Sequence, residues 1–211
     1  MPTVRNYQPS DAQQWLRCRT LAFLDTCYYD DVWTQRPDTP AIQLVSVADQ
    51  RLTGLIDLEI DQELATIDTI AVHPDHQGQG IGTALLDAAI ALLPSTIELL
   101  DAWTREDEST LAWYRSRGFA ESDHYLHVYK GWDETDDGWV GPPPLTRPVM
   151  AFCHAAIEHE AELRARFARV YVCRRFSRLC QPPAGRWPRV ATWPPAGGLA
   201  ESPRRSEGTA G

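Results

Sequence analysis

The sequence predicts an α/β fold with a mixed sheet, and three observations carry the prediction. Residues 41–47, 51–60 and 64–72 are apolar, β-branched runs bounded by turn residues. Asp11–Leu24, Gly82–Leu93 and Asp107–Arg117 place their apolar residues at helical spacing. The two kinds interleave along the chain, which calls for a sheet with helices packed on it.

Asp11–Leu24 (DAQQWLRCRTLAFL) carries apolar residues at 12, 15, 16, 21, 23 and 24, with Ser10 placed to cap its start. Ala41–Val47 and Arg51–Ile60 read as strands joined by the turn Ala48-Asp49-Gln50. Leu64–Val72 (LATIDTIAV) is a third strand, ended by His73-Pro74. Gly82–Leu93 is a helix that Pro94 stops. Ile97–Trp103 is the next strand, and Gly118 closes the helix Asp107–Arg117 as a left-handed residue. Phe119 and then Tyr125–Lys130 supply final strand material.

Three regions follow: a principal domain over residues 1–130, an extension over 131–180 packed on or beside it, and a tail over 181–211. The extension opens on the acidic, Gly/Pro-rich linker GWDETDDGWVGPPPLTRP. It continues with the apolar stretch Val149–Ala156, a charged helix Glu158–Ala168 and a strand-like run Val170–Phe176. The tail holds 6 Pro and 5 Gly in 31 residues without periodicity, so it is expected to be disordered.

Composition narrows the function. Net charge is −9, and residues 1–130 hold 9 Lys and Arg against 20 Asp and Glu. An acidic body argues against nucleic acid, which recruits cations, and suits a cationic partner such as an amine. No apolar run approaches the roughly 20 residues that cross a bilayer. The start of the chain shows no apolar segment of a signal peptide, and five scattered cysteines form no pairing framework. A cytoplasmic protein with no membrane or nucleic-acid partner is expected. His73/His76 and His124/His127 lack the geometry of a ligand set, so no metal is expected.

Between the third strand and the second helix lies HPDHQGQGIG, residues 73–82. A helix start leaves backbone N–H groups without intrahelical partners and adds partial positive charge. Glycines there let a bulky anion reach the main chain, so the segment reads as a phosphate cradle. It is not a Walker loop, because the chain's only lysine is Lys130. Nor is it a dinucleotide fingerprint, because Thr83 stands where the third glycine belongs.

Gln77-x-x-Gly80-x-Gly82 after Ile70-Ala71-Val72-His73-Pro74 closely resembles the acetyl-CoA motif of the GNAT-superfamily N-acetyltransferases. Leu111–Phe119 (LAWYRSRGF) resembles that family's second conserved segment, with Trp113 at a Phe position and Asp107 where an Asn is usual. The resemblance implies a mostly antiparallel sheet whose strands splay at the acetyl-CoA site. It implies that Gln77, Gly78, Gln79, Gly80, Ile81, Gly82 and Thr83 wrap the pyrophosphate. Ile70, Ala71 and Val72 would offer main-chain groups to the pantetheine arm, as an added strand would take them.

The same resemblance places Tyr114 at the general-acid position, where a phenol can protonate the departing thiolate. An attacking ammonium must lose a proton, and a carboxylate can take it. Glu59 is the first choice and Asp57 the second, both on one face of the strand by period-two alternation, with Asp68 and Asp101 further candidates. Tyr28, Tyr29 and Asp30 follow the first helix where the family's acceptor loop lies, and could hold a cationic amine by cation–π and ionic contact. The expected activity is acetyl transfer from acetyl-CoA, as cosubstrate, to a small-molecule or protein primary amine by direct attack in a ternary complex. A non-catalytic acyl-CoA sensor is the alternative, and the extension could serve a homodimer contact.

Overall fold

The computed structural model describes residues 3–37, 40–135 and 137–180. The disorder expected of residues 181–211 lies outside them. Eight strands form one sheet: β1 (Thr3–Asn6), β2 (Ile42–Ala48), β3 (Arg51–Asp61), β4 (Leu64–Val72), β5 (Leu99–Thr104), β6 (Ala120–Lys130), β7 (Ala151–Ala155) and β8 (Arg169–Leu179). Their spatial order is β1-β2-β3-β4-β5-β8-β6-β7. Every neighbouring pair is antiparallel except β4 and β5.

Four helices flank the sheet: α1 (Ala12–Phe23), α2 (Ile81–Ala91), α3 (Glu108–Ser116) and α4 (Glu160–Arg166). Ser10 does not cap α1 but sits in a 3-10 turn, Pro9–Asp11, that precedes it. The Asp11 carboxylate accepts the Gln8 N–H at 2.8 Å and pairs with Arg5 at 2.7 Å, which holds its pKa below the usual carboxylate range.

Alternation along the strands separates two cores. Val45, Leu55 and Ala71 pack against Trp15 and Cys18 of α1. Ile56, Leu58, Ala65, Ile67, Leu100, Ala102 and Phe176 pack against α2 and α3 on the opposite face. Beneath α4, Leu163 joins Leu126, Val128, Val170 and Val172 on this second face.

The segment 131–180 is not an appendage set beside a finished domain. β8 runs between β5 and β6, pairing with both, and buries Phe176 in the principal core. β5 and β6 never pair with each other. The boundary expected at residue 130 therefore cuts through one sheet.

Two irregularities position the site. β4 and β5 pair only from Leu64↔Leu99 to Ile67↔Ala102 and then part. At the same level the β3–β4 register slips, Asp57 facing Thr69 and Leu58 facing Ile67, so Asp68 bulges from the ladder. A bulge turns the strand and re-aims its side chains.

Candidate active site

The glycine loop enters α2 from the end of β4. Gly78 and Gly80 have φ of +73° and +79°, and a side chain at either would meet nothing within 4 Å. Gly80 is the N-cap of α2, with no side-chain cap bond. The first turn of α2 thus opens onto clear space, with N–H groups that lack intrahelical acceptors. Gly82 serves differently: it lies inside α2, 3.6 Å from Val72 Cγ2 and 3.7 Å from Trp113 Cζ2 by its Cβ position. Gln77 Nε2 donates to the Val72 carbonyl at 3.2 Å, tying the loop to the strand.

Sequence reasoning missed Gly54. A Cβ there would lie 2.9 Å from Ile81 Cγ2 and 3.1 Å from the Ala71 carbonyl, so its absence lets the start of α2 settle on β3. The clue was a lone glycine inside a β-branched run, a mark of close backbone approach.

Tyr114 is buried on α3, stacked on Phe176 with centroids 5.6 Å apart. Burial, then the nearby Asp101 carboxylate, push its phenol well above the usual value, so it keeps its proton at neutral pH. Burial likewise pushes the Tyr28 phenol well above its usual value. Burial also raises Cys18 to about 12 and Cys27 to about 11, leaving both thiols poor acyl acceptors.

The four candidate carboxylates part company. Asp57 is sealed in the α1-side core and pairs with Arg36 at 2.7 Å. Burial outweighs that partner and lifts Asp57 to about 6. Asp101 is likewise enclosed, taking Arg175 Nε at 2.5 Å and the Thr66 hydroxyl at 2.6 Å. Glu59 is exposed opposite Thr66, on the paired side of the fork. Asp68 stands at the fork itself. It reaches solvent, and partial desolvation by the surrounding protein raises its pKa. Thr69 Oγ1 donates to it at 3.1 Å, and Arg19 and Arg36 partly offset the rise.

The loop after α1 is tied down by the protein's own cations. Arg105 lies over the Tyr28 ring at 4.0 Å, and Arg169 over Tyr29 at 4.4 Å. Arg169 also holds Asp30 through two bonds of 2.5 and 2.6 Å. The cation–π and ionic contacts expected for a bound amine are thus made by Arg105 and Arg169. Asp107 accepts the Cys27 N–H at 3.0 Å, so it pins this loop to the start of α3. Among the described residues no cluster of His, Cys, Asp and Glu could hold a metal.

Residues 10–119 match the acetyltransferase (GNAT) family. This chain belongs to the GNAT acetyltransferase family. It is 36% identical over 73 residues to an uncharacterized N-acetyltransferase of Methanocaldococcus jannaschii, a match covering 34% of this chain and 30% of that protein. Its fold matches the ribosomal-protein-S18-alanine N-acetyltransferase from Escherichia coli, with a TM-score of 0.56 at 16% identity over 89% of this chain and 99% of the other. It also matches a putative acetyltransferase from Salmonella typhimurium solved with its cofactor acetyl-CoA, with a TM-score of 0.54 at 15% identity over 90% and 99% of the two chains. No helix among the described residues is long and apolar enough to cross a membrane.

Proposed function

We propose that this GNAT chain transfers acetyl from acetyl-CoA to a primary amine by direct attack in a ternary complex. The supporting observation is the juxtaposition of an open helix start, reached over two left-handed glycines, with the fork between β4 and β5. Amides of Gln77–Thr83 hold the pyrophosphate. The main chain of Ile70, Ala71 and Val72, where β4 has lost its β5 partner, receives the pantetheine amides. Acetyl-CoA supplies an activated thioester carbonyl.

Asp68 takes a proton from the incoming ammonium, a role for which its bulged position suits it better than Glu59 or Asp57. The freed nitrogen lone pair forms the new C–N bond as the C–S bond breaks. Tyr114 donates its proton to the departing sulfur. The nitrogen's second proton returns to Tyr114, and Asp68 passes the first to water.

Thiol release from acetyl-CoA over a panel of amines tests the reading. Gly80→Glu carries the test to the cradle. The variant places a carboxylate in the anion site, at a strain cost of about 1–3 kcal/mol for the left-handed backbone. A folded variant, checked by melting, is expected to lose acetyl-CoA binding by calorimetry; retained affinity overturns the cradle. Asp68→Asn is expected to lower kcat/KM by roughly a hundredfold.

A further inference from the structure

Beyond the fork, the face of the sheet that α1 covers elsewhere carries no helix among the described residues. α1 packs on β2, β3 and β4, while α3 and α4 lie on the other side. The loop after α1 lies on part of it through Arg105 and Arg169, and Cys173, Arg175 and His127 are buried there; what stays accessible is aromatic. Trp103 of β5 meets Tyr125 of β6 at 5.1 Å between centroids, and Tyr125 meets His154 of β7 at 4.7 Å. His154 meets Phe152 at 5.1 Å, and Phe152 meets Tyr129 at 4.7 Å. The rings make one continuous floor from the fork to the edge strand. His154 and Phe152 are exposed, and Trp103, Tyr125 and Tyr129 are half-exposed. Contiguous rings left accessible to solvent mark a binding surface.

The charge around this floor differs from that of the whole chain. Asp30 is neutralised by Arg169 at 2.5 Å, Asp31 by Arg19 at 2.7 Å and Asp101 by Arg175 at 2.5 Å. Arg105 is buried against neutral partners: His127 Nδ1 at 3.0 Å, the Cys27 carbonyl at 2.5 Å and the Tyr129 hydroxyl. Asp68 and Asp123 are the carboxylates on this side without an arginine partner among the described residues, too few for an acceptor bearing several positive charges. A planar ring finds partners of its own kind.

Position fixes which end of such a molecule reacts. Trp103 is the first residue of β5 past its last pair with β4, and Asp68 holds the same place on β4. Asp68 accepts from the Thr69 hydroxyl at 3.1 Å, and Thr69 faces Asp57 on the α1 side, which sets Asp68 on the face of Trp103. A ring seated on Trp103 and Tyr125 therefore presents an amine on a short tether to Asp68.

Resting on the acetyl-transfer reading, we propose that the acceptor is an arylalkylamine: one primary amine joined by a short chain to a planar aromatic ring. Initial rates of thiol release at saturating acetyl-CoA test it with 2-phenylethylamine, tryptamine, pentylamine and spermidine. The aromatic amines are expected to exceed pentylamine and spermidine in kcat/KM by about tenfold, the sum of two ring contacts. Trp103→Leu and Tyr125→Leu each remove one seating ring, and thermal melting checks that both variants fold. Both are expected to lower that ratio severalfold. An aliphatic amine used as well as an aromatic one, or a ratio unmoved in both variants, overturns the proposal. If no amine releases thiol, calorimetry with the same amines separates the two readings. Selective binding of tryptamine keeps the aromatic site and removes the transferase reading, and no selective binding removes the aromatic site.

Discussion

At the scale of single residues, environment rather than residue type assigns the roles. Tyr114 and Tyr125 are both phenols, but Tyr114 lies in the α3-side core and Tyr125 is half-exposed on the aromatic floor. Tyr114→Phe keeps the ring on Phe176 and removes only the hydroxyl. It is expected to lower kcat and kcat/KM together by roughly ten- to a thousandfold with acetyl-CoA affinity intact. Wild-type turnover where chemistry is rate-limiting would reduce Tyr114 to a packing role. His127 gives a second residue-scale test. Burial, then the Arg105 charge, then His154, lower its pKa to about 3. The unfolded chain binds that proton near pH 6.5, so the folded state loses stability as pH falls from about 6.5 towards 3. Asp57, raised to about 6, slopes the other way between about pH 4 and 6. The difference between wild type and His127→Gln isolates the histidine. Between pH 7 and pH 5 the wild type is expected to lose about 2 kcal/mol more than the variant in denaturant unfolding. Equal losses would show that His127 is protonated in the folded state.

Secondary-structure elements were legible in proportion to the length and consistency of their local pattern. β4 runs over the Leu64–Val72 expected, because a β-branched run ends at a proline that cannot extend it. α2 and α3 fall within two residues of expectation, set by Pro94 and Gly118. β1 went unread: four residues, TVRN, are too few to show alternation. The bulge at Asp68 also escaped, since register depends on the partner strand and β4 alone reads as unbroken. That bears on the proposed base: alternation favoured Glu59 and Asp57, and the slip in register brings Asp68 to the fork. The aromatic floor did leave a trace. Tyr125-x-His127-x-Tyr129 and Phe152-x-His154 repeat with period two, which places each set on one face of its strand. What no local pattern shows is that those strands are neighbours.

At the scale of the whole molecule, chain order and spatial order disagree, and the disagreement makes the last strand indispensable. Local composition suggested that the fold closes at Lys130, because an acidic, proline-rich linker follows. Long-range pairing overrides that signal. β8 satisfies one ladder of β5, from Leu99↔Leu179 to Thr104↔Arg174, and one of β6, from Ala120↔Ser177 to Tyr129↔Arg169. It also carries Arg175, the partner of buried Asp101, and Phe176, on which Tyr114 stacks. Without β8, two strands keep exposed edges, Asp101 is left as an uncompensated buried charge, and the Tyr114 ring loses its floor. Leaving one such charge unpaired costs about 3–5 kcal/mol, and emptying a buried Phe site costs about as much again. Together these rival the whole stability of a typical domain, about 5–15 kcal/mol. A chain ending at Lys130 is therefore expected not to fold cooperatively. Circular dichroism melting and size-exclusion chromatography of residues 1–130 beside 1–180 check this. A sharp melt and a compact elution from the shorter chain would show that the sheet closes without β8.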